Sequence, residues 1–125
     1  MERVRWETYK GKRILILDYS GLKAVKPEDK KTVMELIKTA RDLSAKQTTP
    51  VLFLSDVTGS QADSETISAI KEFAKFNNET KIVGKECVIG TTGLQTVLLN
   101  AINLFSGGNI KPFATKEQAQ EWLVS

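Results

Sequence analysis

Hydroxyl and carboxylate side chains are concentrated in one stretch of the chain, directly after an apolar run typical of a buried strand. The run is Val51–Leu54, and the polar side chains that follow it are Asp56, Thr58, Ser60, Asp63 and Ser64. A helical pattern begins at Asp63 or Ser64, so the stretch predicts a strand, a loop and a helix. Because ligands and partners usually meet an open α/β sheet at the carboxyl ends of its strands, this loop is a candidate partner-facing surface.

Two interpretations of this loop are open at the level of sequence. In the structural interpretation, Asp56 accepts backbone N–H groups in an Asx-turn, and Asp63 or Ser64 caps the helix. In the functional interpretation, the loop docks a partner and is switched by phosphorylation of Ser64, with Ser60 and Thr58 as alternates. A phosphate adds about −1.5 to −2 charges. The N-terminus of a helix tolerates that charge, but a partner that binds the unmodified loop would be repelled.

A second polar segment, Gly90–Gly93, precedes another predicted helix and could hold an anion through free N–H groups. It lacks the lysine of a P-loop and the spacing of a dinucleotide-binding loop, which favours a structural turn. Asp18 with Ser20 is likewise typical of a turn. No serine–lysine or paired-carboxylate arrangement is specific enough to indicate a catalyst, so the sequence predicts a non-enzymatic protein.

The composition excludes several kinds of site. The chain has 125 residues, 41% hydrophobic and 26% charged, which predicts one globular domain over residues 1–125. It contains no histidine, so histidine-based catalysis, metal ligation and pH switching are excluded. Its one cysteine, Cys87, lies in an apolar run and is interpreted as buried and inert. We therefore expect no metal site and no cofactor.

Charge and hydropathy bear on partners and location. The net charge is +3, without the dense basic stripe that nucleic-acid binding requires, so we expect no nucleic-acid partner. No window approaches the roughly 18 apolar residues of a membrane span. The first residues lack the apolar segment of a secretory signal. We therefore expect a cytoplasmic protein without a membrane span.

Hydrophobic periodicity predicts an α/β fold with the element order ββαβαβαβα. The predicted strands are Val4–Tyr9, Arg13–Leu17, Val51–Leu54, Lys85–Ile89 and Ile110–Phe113. The first two form an antiparallel hairpin, and the later strands join a mostly parallel sheet through right-handed crossovers. The side chains expected at the centre of the core are Ile16, Phe53 and Ile89.

The third predicted helix is apolar on more than one side. Its main stripe, which we expect to face the core, is Leu94, Val97, Leu98, Ala101, Ile102 and Phe105. Leu99 and Leu104 lie outside that stripe. Extra apolar surface on a helix indicates burial on a second side, so these two residues predict either a homodimer contact or a ligand pocket covered by this helix.

Four segments together resemble a known family. They are Ile14–Leu22 (ILILDYSGL), Val51–Ser60 (VLFLSDVTGS), Lys85–Phe105 (KECVIGTTGLQTVLLNAINLF) and Phe113–Leu123 (FATKEQAQEWL). They resemble the sporulation stage II AA-like branch of the STAS fold, also described as STAS/SEC14-like. The resemblance implies a β-α superhelical arrangement with an antiparallel strand at the start, and it implies no catalytic activity.

The resemblance also implies a function. STAS domains include anti-sigma-factor antagonists, in which a partner kinase phosphorylates a serine in an Asp-Ser-Ser-Gly type motif at the start of a helix. Asp63 and Ser64 match the first two positions of that motif, whereas Glu65 and Thr66 depart from it. We therefore expect a regulatory or interaction module whose protein partner is a kinase or regulator. The alternative is a binding protein for a lipid or other small hydrophobic ligand, as in domains of the SEC14 kind.

Overall fold

Residues 2–125, which the computed structural model describes, form five strands and four helices. The strands are β1 (Val4–Tyr9), β2 (Lys12–Asp18), β3 (Val51–Asp56), β4 (Val83–Ile89) and β5 (Ile110–Phe113). The helices are α1 (Pro27–Ala45), α2 (Ser64–Glu79), α3 (Gly93–Ser106) and α4 (Lys116–Val124). The predicted element order is confirmed. Strands β2 to β4 are longer than predicted, because residues at their ends continue the ladder, as in the pairings of Asp18 with Asp56 and of Val51 with Val83.

The strands form one sheet in the order β1-β2-β3-β4-β5. The β1–β2 pair is antiparallel, and the other three pairs are parallel. The turn between β1 and β2 contains Lys10 and Gly11, both at positive φ. Such a turn fits the twist of an antiparallel hairpin. The predicted fold class, a mostly parallel sheet that begins with an antiparallel strand, is therefore confirmed.

Side chains alternate between the two faces of the sheet, and different helices cover each face. On one face, Leu15, Leu17 and Phe53 pack with buried residues of α1 and α2. On the other face, the side chains of Ile14, Ile16, Leu54, Cys87 and Ile89 pack against α4. The three predicted core residues are buried, with exposed fractions of 2% for Ile16, 0% for Phe53 and 8% for Ile89.

The predicted orientation of α3 is wrong. The buried side chains of this helix are Leu99, Ile102 and Ser106. The outer row of α3, Leu94, Val97, Leu104 and Phe105, is 44 to 87% exposed. Because α3 is apolar on both sides, its periodicity could not indicate which side faces the sheet. No helix among residues 2–125 combines the length and the hydropathy needed to cross a membrane.

Candidate functional site

The carboxylates that follow β2 and β3 form turns with nearby hydroxyl residues. The Oδ1 atom of Asp56 accepts hydrogen bonds from the backbone N–H of Thr58 at 3.0 Å and from its hydroxyl at 2.7 Å. Asp18 accepts the same pair of bonds from Ser20, at 3.0 and 2.5 Å. The structural interpretation of both carboxylates as turn-forming groups is therefore confirmed.

Asp63, and not Ser64, caps helix α2. Its Oδ1 atom accepts a hydrogen bond from the Thr66 N–H at 2.9 Å, and the Thr66 hydroxyl accepts one from the Asp63 N–H at 3.0 Å. The ammonium of Lys30 lies 2.5 Å from the Asp63 carboxylate, and together with the Thr66 N–H it lowers the pKa of that group to about 2. Ser64 is the first residue of α2 and is exposed, and its hydroxyl does not cap the helix.

Hydrogen bonds join the loop after β3 to helix α3. The Ser60 hydroxyl donates a hydrogen bond to the Val57 carbonyl at 2.8 Å. The side-chain amide of Gln95, on α3, donates to the carbonyl of Ser60 at 3.1 Å and to that of Val57 at 3.3 Å. The structure therefore brings the five predicted loop residues to one edge of the sheet, but the hydroxyls of Thr58 and Ser60 are already hydrogen-bonded there.

The segment Gly90–Gly93 is a close-packed turn. Gly90 has φ +81°, and a Cβ atom added to it would lie 2.1 Å from the Thr58 hydroxyl oxygen. The Thr92 N–H donates to the Gln95 side chain at 2.9 Å, as part of a capping box at the start of α3. These contacts support the interpretation of Gly90–Gly93 as a structural turn.

A cavity of about 130 Å³ lies between the sheet and helices α2 and α3. Its wall is mostly apolar and includes Leu17, Ile70, Phe73, Val88, Leu99 and Ile102. Strand register arranges its floor in rows, because paired residues of parallel strands project from the same face. One row contains Leu17, Ser55 and Val88, and the adjacent row contains Glu86 and Ile110, beside the fully buried Phe53.

Glu86 places a carboxyl group in this apolar wall. The residue is half-buried and lines the cavity. Within residues 2–125 its carboxyl forms no hydrogen bond and no ion pair, and burial raises its pKa to about 7. A carboxyl with a perturbed pKa in a cleft is a candidate functional group.

Two hydroxyl groups share the cavity with Glu86. Tyr19 is 7% exposed, and burial, followed by the nearby Glu86 carboxyl, raises the pKa of its phenol. Ser55 lies on the floor of the cavity. In the described part of the chain, neither hydroxyl has a hydrogen-bond partner, so both can bind a ligand.

Sequence reasoning missed Glu86. The sequence predicts a strand over Lys85–Ile89, in which Glu86 alternates with Cys87 and therefore shares a face with Val88. Both faces of this sheet are covered by helices, so an acidic residue in the middle of an inner strand has to point into the protein. That signal was present in the sequence and could have identified Glu86.

The two α3 residues singled out from the sequence lie on different sides of the helix. Leu99 is 6% exposed and lines the cavity, whereas Leu104 is 87% exposed. The structure therefore does not bring them together. Leu99 lines the cavity, and Leu104 belongs to the outer row of α3.

The other reactive groups offer no competing site in residues 2–125. Cys87 lies on the opposite face of the sheet with 0% exposure, and burial, followed by the charge of Glu86, raises the pKa of its thiol to about 12. No group of three or more cysteine, aspartate or glutamate side chains in this range is arranged to hold a metal ion.

Comparison with known proteins supports the fold alone. No protein-family model matches the chain, and no curated protein matches it. The chain is similar to a crystal structure of an uncharacterized protein of the DUF3478 family from Shewanella loihica PV-4, described as having a SpoIIAA-like fold. The TM-score is 0.68 at 22% sequence identity, covering 96% of this chain and 91% of that one. This chain has a SpoIIAA-like fold.

Proposed function

We propose that this chain is a non-catalytic module that binds a small apolar molecule in the cavity beneath α2 and α3. The observation that carries the proposal is the cavity itself, with a volume of about 130 Å³ and a mostly apolar wall. An engineered apolar cavity of about 150 Å³ binds benzene, so a space of this size suits a molecule with a benzene-sized apolar body.

The position of the cavity also favours ligand binding. Its lining includes Gln61 and Ala62, which are exposed residues of the loop after β3. The cavity therefore reaches the protein surface beside the loop that carries Asp56 and Ser64. A ligand would enter at the carboxyl end of β3, the edge at which open α/β sheets usually bind their ligands.

The proposal includes no nucleophilic catalysis, because no activated nucleophile lines the cavity in the described residues. Ser55 has no base hydrogen-bonded to it in the described residues, and Cys87 lies on the other face of the sheet. Nucleophilic catalysis requires a hydroxyl or thiol next to a base or with a lowered pKa. Burial raises the pKa of the phenol of Tyr19 instead.

A second candidate function is the regulatory interaction module expected from the sequence, with a protein partner or a second copy of this chain. Its support is the outer row of α3, in which Leu94, Val97 and Leu104 are 63 to 87% exposed. This candidate takes Ser64 as its modification site, and Lys30 lies 2.5 Å from Asp63 and 3.7 Å from Glu65 on either side of that residue. A phosphate on Ser64 would compete for that lysine.

Native mass spectrometry of protein purified from cells tests ligand binding. We expect wild type to retain a small apolar molecule and Ala74→Leu, which fills the cavity from α2, to lose it. Ala74 lines the cavity and is 5% exposed, whereas Ala45, at the exposed end of α1, provides the matched control Ala45→Leu. Equal occupancy in all three proteins, or none in wild type, would count against the cavity as a ligand site.

A pull-down tests the second candidate. Wild type and Ser64→Asp are compared as baits, and peptides covering residues 56–65 are searched for phosphate. If the chain is a regulatory module, we expect wild type to capture a protein partner that Ser64→Asp does not capture. The same partners with both baits, and no phosphopeptide, would leave Ser64 as a plain first residue of α2.

A further inference from the structure

The cavity wall carries a carboxyl group and no basic side chain. Glu86 is the acidic residue of the lining, and no lysine or arginine among residues 2–125 contributes to it. Glu86 is half-buried in an apolar wall, where a charge is costly unless it is paired or hydrogen-bonded. The described residues supply no hydrogen-bond or ion-pair partner to Glu86. A ligand can therefore supply one.

The register places that carboxyl where a ligand would contact it. Glu86 is paired with Phe53 on one side and with Ile110 on the other, so its side chain leaves the floor of the cavity and points toward α2 and α3. Phe53 is fully buried, and Ile110 is 8% exposed. The carboxyl is thus flanked by apolar side chains that cannot hydrogen-bond to it.

The chemistry of the polar groups indicates the charge of the ligand. The carboxylate of Glu86 can only accept hydrogen bonds, and the hydroxyls of Tyr19 and Ser55 can accept as well as donate them; none of the three has a partner in the described chain. A primary ammonium has three donors and no acceptor, and it neutralises the carboxylate. An anionic ligand would be repelled, and a neutral apolar one would leave the carboxylate unpaired.

We propose that the cavity selects a small apolar primary amine, whose ammonium group binds Glu86 and whose apolar body fills the space beneath α2 and α3. This inference rests on the proposed function. It goes beyond that function by assigning the ligand class and by naming Glu86 as the residue that recognises it.

Calorimetric titration with three probes of equal heavy-atom count tests the inference. The probes are ethylbenzene, benzyl alcohol and benzylamine, at about pH 8, where the Glu86 carboxyl is ionised. We expect wild type to bind benzylamine about tenfold or more tighter than benzyl alcohol, the gain of a charge-assisted hydrogen bond. Glu86→Gln should lose that preference but retain ethylbenzene binding, which also shows that the variant is folded. Glu72→Gln, on the exposed face of α2, is the matched control and should behave as wild type.

The outcomes separate this inference from the proposed function. If wild type binds ethylbenzene but prefers benzylamine by less than about threefold, or if Glu86→Gln keeps the preference, the amine assignment is overturned and the apolar cavity remains. If wild type binds none of the three probes, the proposed function fails and the inference fails with it. A preference for benzylamine that Glu86→Gln abolishes and Glu72→Gln preserves supports both.

Discussion

At the scale of single residues, Glu86 is the acidic side chain in an otherwise mostly apolar cavity wall. It occupies the floor of an apolar cavity, and burial raises its pKa from 4.5 to about 7. The titratable groups coupled to it are Tyr19, on the loop after β2, and Cys87, on its own strand. Within the described residues, β3, β5, α2 and α3 contribute no other titratable side chain to the cavity. The contribution of Glu86 to the free energy of unfolding should therefore depend on the protonation of its own carboxyl.

The pH dependence of stability tests this effect. Because the folded state raises the pKa of Glu86, the folded protein binds its proton more tightly, and the resulting stability is present below about pH 4.5 and lost as the pH rises through about 7. Relative to wild type, Glu86→Gln should gain on the order of 3 kcal/mol between about pH 4 and pH 8. Urea melts at both pH values measure this difference. A stability difference between the two proteins that is the same at both pH values would contradict the assignment.

The cap of α2 supplies a second residue-scale prediction. Asp63 accepts the Thr66 N–H and contacts Lys30, whereas Ser64 is exposed and forms no capping bond. Asp63→Ala should therefore lower the melting temperature, and Ser64→Ala should leave it nearly unchanged. Thermal melts followed by circular dichroism compare the two variants. A larger loss from Ser64→Ala would assign the cap to Ser64.

The central strand offers a core prediction. Phe53 is fully buried and contacts Phe73 of α2 edge to face, with ring centroids 6.1 Å apart. Phe53→Ala removes this contact and enlarges the space beside the cavity, so it should cost about 3–5 kcal/mol in denaturant melts. A loss below about 1 kcal/mol would mean that the strand register is different.

At the scale of elements, the turn between β4 and α3 holds the loop after β3 in place. Gly90 has φ +81°, and a Cβ there would clash with the backbone and hydroxyl of Thr58. Gly90→Ala should therefore cost about 2 kcal/mol or more. Gly93→Ala is the matched control, because a Cβ at that position meets no atom within 4 Å. Equal stability of the two variants would show that the close approach of Gly90 and Thr58 is not needed.

The elements themselves could be predicted from the sequence, because each has a clear period and local end signals. Pro27 starts α1 and the Asp56–Thr58 turn ends β3, as their residue types indicate. The orientation of α3 could not be predicted, because a helix with apolar residues on two sides has no single stripe. Which side becomes buried depends on how α3 sits against α2 and β5, and that is a property of tertiary packing.

At the scale of the whole molecule, the candidate site combines parts that were predictable with parts that were not. The loop from Asp56 to Ser64 follows from local turn and cap chemistry, and the structure places it at the rim of the cavity. The cavity requires side chains from β2, β3, β4, α2 and α3 together, for example Leu17, Val88 and Leu99. No local sequence pattern predicts that combination, so only the residue type at position 86 could have indicated the cavity.

Ligand binding in the cavity is the central claim, and methyl NMR with ethylbenzene tests it most directly. Intermolecular nuclear Overhauser effects report which methyl groups the ligand contacts. We expect contacts from the ethylbenzene ring to the methyl groups of Val88, Leu99 and Ile102, which line the cavity. Contacts confined to Leu94, Val97 and Leu104, on the outer row of α3, would contradict the claim and leave the exposed helix face as the apolar binding surface.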